Sequence, residues 1–461
     1  MPPLPPHAQP DLTLAPNPHG WDAAHNMLFI DQPVGTGFSW TDSPDDEVTS
    51  EVQVAEDVLQ FLLAFLAAKP ALAGNDFFVT GESYAGHYCP AVAARVAEHN
   101  AAEAAAEAAE RGLVSQGPAI NLKGVAIGNG LTEPATQYGA YAKFAADNGL
   151  IGDATRRGID RIFPWCKFGI DLCQVRQTDR ERGREREREA HTLPPIIALH
   201  PPTSHLFPSL SSLPHSLSLS LSLSLVQTKH KGPLGFDWVC SLALSFCGAV
   251  VYGPIMAEGG GFNVYDISKK CEGPLCYPEF EVMDRYLAQP EVLAALNVKP
   301  GLVWQSCSRE VYADMLGDFM RSYADRVTPL VDGGAARFLI YVGTRDFICN
   351  WYGNERWVDA LPWAGRYDFE DSDFVDWGVV GDGGGGGADA PKPAPGRVRA
   401  GTVKGDGLAL TFALVEAAGH MVPMDQPAAA LAMITAFTRG RNISAGWEAG
   451  VRGGQARLGV A

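Results

Sequence analysis

The chain has 461 residues, 46% of them hydrophobic and 19% charged, enough apolar material for a large buried core. Its formal net charge is -17 and its pI about 5.1, so its surface repels phosphate backbones and nucleic acid is not an expected partner. No basic cluster is interleaved with aromatics, and the one dense arginine run alternates with glutamate.

The opening residues, MPPLPPHAQPDLTL, have neither the basic n-region nor the apolar h-region of a secretory signal, and no membrane anchor is read there. The short apolar run NMLFID, from Asn26 to Asp31, predicts a strand. Ser50 and Gln53 form a capping-box pattern. Behind it, Ala55, Val58, Leu59, Leu62 and Leu66 recur at helical spacing until Pro70 stops the helix. DFFVT then predicts a buried strand and AVAARVAEHN the helix after it, prolonged by the alanine-rich, surface-exposed AAEAAAEAAERG. LKGVAIGNG, RFLIYVG and LTFALVE predict three more strands. A last helix begins near Asp425, runs through AAALAMITAF and stops at Gly440. Such alternation predicts an α/β fold with a mostly parallel central sheet and helices on both faces.

The alternation breaks between Gly152 and Asp325, which predicts a cap inserted over the sheet. The expected organisation is therefore a first core segment over 1–151, a cap over 152–325 and a second core segment over 326–461. Within the cap, 177–231 runs through DRERGREREREAH and then SLSLSLSLSL. Repeated GA in the coding strand reads as alternating Glu and Arg, and repeated CT as alternating Leu and Ser. The tract is therefore expected to be translated microsatellite or unspliced intron. GDGGGGGADAPKPAPG predicts a flexible loop. The uncharged stretch from Val239 to Ala257 invites a membrane reading. Its serines, glycines, proline and two cysteines favour a buried loop-and-helix region instead, and no membrane is expected as a partner. Of nine cysteines, Cys271 and Cys276 are spaced for a small disulfide loop, while Cys166/Cys173 and Cys240/Cys247 are each seven apart. No histidine spacing accompanies them, so no metal site is expected. Paired cysteines would fit an oxidising compartment.

The strongest local signal is FFVTGESYAGHY. A buried strand runs straight into Gly81-Glu82-Ser83-Tyr84-Ala85-Gly86, and a helix follows. A nucleophilic serine needs such a turn: small neighbours let the chain bend, and the helix N-terminus puts N–H groups near a developing oxyanion. Ala85 stands where the strict G-x-S-x-G pattern has its second glycine; Gly86 follows it. An ordinary glycine-serine turn is the bland alternative. Serine is a poor nucleophile without a base. His420, in EAAGHMVPMDQP, lies between a strand and a helix, where open α/β sheets keep their sites. Asp346 ends RFLIYVGTRD and completes the order Ser, Asp, His of α/β-hydrolases. Asp31 and Asp332 are rivals, with turn capping and surface solvation as their expected roles.

Six ordered blocks carry a resemblance: NMLFIDQPVGTGFSW, GESYAGHYCP, AIGNGLTEP, FNVYDISKKCEG, VGTRDFICNWYGNERWV and GHMVPMDQP. Together they resemble the serine carboxypeptidase family, from about Asp11 to Thr438. The resemblance implies an α/β-hydrolase fold and hydrolysis of the C-terminal peptide bond of peptides and proteins, best at acidic pH. It implies Ser83 as nucleophile, His420 as proton shuttle, Asp346 as its orienting partner and the Tyr84 backbone N–H as an oxyanion donor. It assigns Glu82 to recognition of the substrate's free α-carboxylate, and Met421 joins it as a substrate-binding residue. A carboxyl can donate to a carboxylate only while protonated. The resemblance also implies disulfides Cys166–Cys247, Cys173–Cys240 and Cys271–Cys276, a free thiol at Cys349 near the site, a packing role for Cys89, no cofactor, and a vacuolar, lysosome-like or secreted location. Asn442-Ile-Ser is a glycosylation acceptor on that route. Two alternatives share the fold: an acyltransferase using the same triad, and a catalytically impaired binding or protective homologue. In the family a glycine-rich loop precedes the DLTLxPNPxxW segment. Here DLTLAPNPHGW lies almost at the first residue. The loop's second oxyanion N–H, the glutamate that partners Glu82 and the cysteine that pairs with the equivalent of Cys307 are therefore expected to be lacking, as in an incomplete gene product.

Overall fold

The computed structural model describes residues 6–8, 10–108, 118–192, 237–305, 307–377, 396–402 and 408–444. A short antiparallel pair, β1 (Pro6–Ala8) and β2 (Leu14–Pro16), opens the chain. The main sheet has six strands in the order β3-β4-β5-β8-β7-β6. β3 (Phe77–Glu82), β4 (Leu122–Gly128), β5 (Arg337–Gly343) and β8 (Leu408–Val415) are parallel neighbours. β7 (Gly396–Thr402) and β6 (Val375–Trp377) extend the far side antiparallel. The four parallel strands are those the apolar runs predict, and the α/β-hydrolase expectation for the core holds.

Period-two alternation divides each strand between two cores. Phe338, Ile340 and Val342 of β5 pack into the cluster beneath α1 (Glu51–Ala68) and α2 (Ala85–Ala108), with Leu59, Leu62, Val92 and Val96. Leu339 and Tyr341 turn the other way, toward Met433, Ile434 and Phe437 of the last helix, Pro427–Thr438. Gln53 at the start of α1 reaches back as the capping pattern predicts, but its Oε1 accepts from the Thr49 N–H and the hydroxyls of Thr49 and Ser50.

One predicted strand is absent. Asn26–Asp31 forms no ladder, and Phe29 is 85% exposed. A groove of about 1,020 Å³ separates its neighbourhood from β3, which is left as the sheet's edge. An apolar run becomes a strand only where a partner edge lies within hydrogen-bonding reach, and across this groove none does. Between β4 and β5 the described residues form helices and loops and no strand. Helix α3 (Asp153–Thr192) lies against α4 (Asp237–Cys247), which continues through a π-helical turn into α5 (Gly253–Glu258). Disulfides Cys166–Cys247 and Cys173–Cys240 clamp this pair, and Cys271–Cys276 closes a five-residue separation downstream. Ile159, Ile170, Val251 and Ile255 form a third apolar cluster around them. The run Trp238–Glu258 is the one helix among the described residues long and apolar enough to cross a membrane. The Leu-Ser tract and the glycine-rich loop lie outside the described residues.

Candidate functional site

The site sits at the carboxyl ends of β3, β5 and β8. Ser83 follows β3 directly, with φ 64°, and α2 begins two residues later. A serine in the left-handed region costs energy and persists only where neighbours enforce it. Three backbone bonds do so: Ser83 N–H donates to the Gly128 carbonyl at 3.0 Å, and the Ser83 carbonyl accepts from Gly86 at 3.0 Å and Leu131 at 2.9 Å. The glycines answer to crowding. A Cβ at Gly81 would lie 2.4 Å from the Ala85 Cβ, and one at Gly86 2.3 Å from the Leu131 carbonyl oxygen. The tolerated alanine at 85 is thus the side chain that Gly81 makes room for.

Asp346 lies just past β5 and is fully buried. Its Oδ2 accepts from Asn129 Nδ2 at 2.7 Å, from the Cys349 N–H at 3.2 Å and from His420 Nδ1 at 2.9 Å; its Oδ1 accepts from the Ile348 N–H at 3.0 Å. His420 is buried on the loop after β8, its N–H donating to the Tyr265 carbonyl at 2.7 Å. Glycines permit this meeting of loops, since a Cβ at Gly343 would lie 2.0 Å from the Gly419 carbonyl oxygen. Nδ1 of His420 is committed to Asp346, while Nε2 has no hydrogen-bond partner among the described residues. Burial lowers the imidazole's proton affinity, but the Asp346 charge and hydrogen bond, with Glu82, outweigh it and hold the pKa above its ordinary value.

Ser83, His420, Glu82, Tyr84 and Met421 all line one cavity of about 700 Å³. Tyr138, Tyr141, Tyr265, Tyr277 and Phe319 furnish much of its wall. The structure thus joins Asp346 to His420 directly and brings Ser83 to the same cavity. Glu82 is half-buried, and its carboxyl is pushed up to about 8 by burial, against the lowering influence of His420 and with the help of Asp346 and Asp425. Met421 donates its N–H to the Tyr277 hydroxyl at 3.3 Å. Cys349 places its sulfur within 4.8 Å of donor atoms on Asp346 and His420, but those two bond each other. Burial raises the Cys349 thiol well above its usual range, so it stays protonated. Cys89 packs in the core, and Cys307 is a free, exposed cysteine.

Asn129 is the residue that sequence reasoning missed. It occupies φ 42° between Gly128 and Gly130, holds Asp346 with its amide nitrogen and accepts from the Gly343 N–H at 3.2 Å with its oxygen. Its signal was present, an asparagine between two glycines at a strand's C-terminal end, where left-handed geometry suits asparagine. The rivals of Asp346 have local roles. Asp31 accepts from the Phe38 N–H at 2.9 Å, and Asp332 from the Ala364 N–H at 2.9 Å.

The family model described as serine carboxypeptidase matches residues 3–440. The chain belongs to the serine carboxypeptidase family. It is similar to serine carboxypeptidase-like 49 of Arabidopsis thaliana, 37% identical over 426 residues, covering 92% of this chain and 64% of that protein. It is also similar to serine carboxypeptidase 3 of Oryza sativa subsp. japonica, 36% identical over 431 residues, covering 94% and 68%. The chain therefore spans about two thirds of the length of these family members. A crystal structure of Kex1(Δ)p, a prohormone-processing carboxypeptidase from Saccharomyces cerevisiae, shares the fold with TM-score 0.61 at 21% identity, covering 94% of this chain and 78% of that one.

Proposed function

We propose that this chain is a serine-type carboxypeptidase acting through Ser83, His420 and Asp346. The observation that carries the reading is the state of His420. Its Nδ1 is held by a buried carboxylate, its Nε2 has no partner among the described residues, and its ring lines the same cavity as Ser83. Ser83 Oγ attacks the carbonyl of the last peptide bond and gives its proton to His420 Nε2. Asp346 keeps the ring in one tautomer and stabilises the imidazolium. The Tyr84 N–H, at the mouth of α2, serves the oxyanion. Collapse breaks the C–N bond, and His420 returns the proton to the departing amino group. Water, deprotonated by His420, then hydrolyses the acyl-Ser83 ester.

Glu82 and Met421 meet the terminal residue in this reading. Because Glu82 keeps its proton up to about 8, it can donate to the substrate's α-carboxylate through the acidic and neutral range. The raised imidazole of His420 opposes catalysis at the acid end, since a protonated ring accepts nothing. An acidic optimum therefore requires carboxylate capture, not imidazole basicity, to govern kcat/KM. The three disulfides support passage through an oxidising, secretory compartment. The test is release of the C-terminal residue from an N-blocked dipeptide at acidic pH, together with fluorophosphonate labelling. Turnover and labelling that both vanish in Ser83→Ala support the reading; labelling elsewhere, or turnover that survives, refutes it.

A further inference from the structure

Around Tyr84, the residue after Ser83, lies a group of buried polar side chains that the mechanism above does not use. Glu51, the first residue of α1, is fully buried, and neither carboxylate oxygen has a hydrogen-bond partner among the described residues. Asp318, also fully buried, accepts from Arg321 Nη1 at 2.9 Å and from the Tyr323 hydroxyl at 3.1 Å, and the Glu51 backbone N–H is turned toward it. Ser50 makes no side-chain cap to α1, so the Asp318 carboxylate takes the anionic place at that helix N-terminus. The residue next to Asp318, Phe319, stacks on the Tyr84 ring at 5.3 Å, and His87 stacks on the same ring at 4.5 Å. The Tyr84 hydroxyl is itself buried without a partner among the described residues.

These two acids differ in what supports a charge. Asp318 has a guanidinium, a phenol and a helix N-terminus. Glu51 has nothing on its oxygens. An ionised carboxylate with no donor, buried beside another carboxylate, is costly; protonation removes both penalties. We propose that Glu51 is a positioning residue kept as the neutral acid, so that Glu51 and Asp318 never carry charge together and the shell of Phe319 and Tyr84 holds the Ser83 turn in register. The groups that face Glu51 and Asp318 are Arg321, Tyr323, Tyr84, Tyr88 and Cys89, with His87 behind Tyr84. The three tyrosines and the thiol are raised by burial and stay neutral. His87, lowered to about 4 by burial, is neutral above that pH. Asp318 is pushed up to about 6 by burial, against the lowering influence of Arg321, the Tyr323 hydroxyl and the Glu51 N–H, whereas Glu51 is held well above its usual range, first by burial and then by the Asp318 charge, with Arg321 opposing both.

The sign follows. A folded-state carboxyl raised above its unfolded value binds its proton more tightly in the fold. Its stabilising contribution is complete at acidic pH and is lost as pH rises through the folded value. Ionisation of Glu51 then sets two buried anions against each other and loosens the packing that supports Tyr84. The consequence is an alkaline limit on the enzyme that Glu82 does not cause. This inference rests on the carboxypeptidase reading only for its kinetic arm.

The experiment compares wild type with Glu51→Gln, and with Glu51→Met as a second variant that fills the same volume without polarity. It uses an N-blocked amino-acid methyl ester, which has no free carboxylate for Glu82 to recognise. The thermal midpoint and kcat are followed from pH 4 to pH 9. The expected result is that both variants retain their midpoint at alkaline pH, and that the alkaline fall in kcat moves up by about one pH unit or more. Midpoint and kcat profiles that superimpose on wild type overturn the proposal. Should Glu51→Gln not fold, Glu51→Met alone decides, by the same criterion. If no variant, wild type included, turns over ester or labels at Ser83, the functional reading fails, while the thermal profiles still decide the role of Glu51.

Discussion

Replacing Asn129 by glycine tests the least expected member of the site. The asparagine amide donates to the same Asp346 oxygen that receives His420 Nδ1, at 2.7 and 2.9 Å. A hydrogen bond to a charged group contributes about 1.5–3 kcal/mol. If that whole amount is expressed in holding the Asp346–His420 pair, kcat/KM falls about 10- to 150-fold, since 1.36 kcal/mol is a factor of ten. Glycine accommodates the φ of 42° without strain, so the lost amide is isolated from the backbone. Alanine at 129 would add about 1–2 kcal/mol for the left-handed conformation, visible in thermal stability rather than in further loss of rate. Loss of the 3.2 Å bond to Gly343 costs either variant about 1 kcal/mol more. The assay is ester hydrolysis measured beside thermal unfolding. An Asn129→Gly protein within twofold of wild type in kcat/KM would show that Asn129 does not position the pair.

Three further outcomes are expected. Glu82 holds its proton up to about 8, so the KM for peptide acids should climb as pH passes that value while the KM for esters does not. In Glu82→Gln, which keeps a donor at every pH, the climb should disappear. Gly86→Ala would force a Cβ to 2.3 Å from the Leu131 carbonyl oxygen, so expression should fall or the unfolding midpoint drop by several degrees, the mark of about 1–3 kcal/mol of overpacking. Breaking Cys173–Cys240 by paired serine substitution should cost about 2–4 kcal/mol and make α3 and α4 protease-sensitive before the sheet; limited proteolysis followed by mass spectrometry would reveal the order of cleavage.

Local patterning in the sequence was enough for the four parallel strands, α1, the last helix and the serine turn. Each is specified by neighbours within a few residues: apolar alternation, helical spacing, and small residues around Ser83. Ser83, Asp346 and His420 could be put forward as a set for the same reason, since each follows a readable strand. Three features were settled only by tertiary contacts. Asn26–Asp31 has a strand's composition but no partner edge within reach. β6 and β7 join the sheet antiparallel although β7 reads Gly-Arg-Val-Arg-Ala-Gly-Thr, because its arginines find partners on the distant α6 (Trp351–Ala360), where Arg399 pairs with Asp359 and Glu355. Glu51 looks from the sequence like any acid in a helix's first turn, yet the fold buries it against Asp318, 267 positions away. Whether a side chain ends in water or against another charge depends on which distant segment packs over it, and no local pattern encodes that.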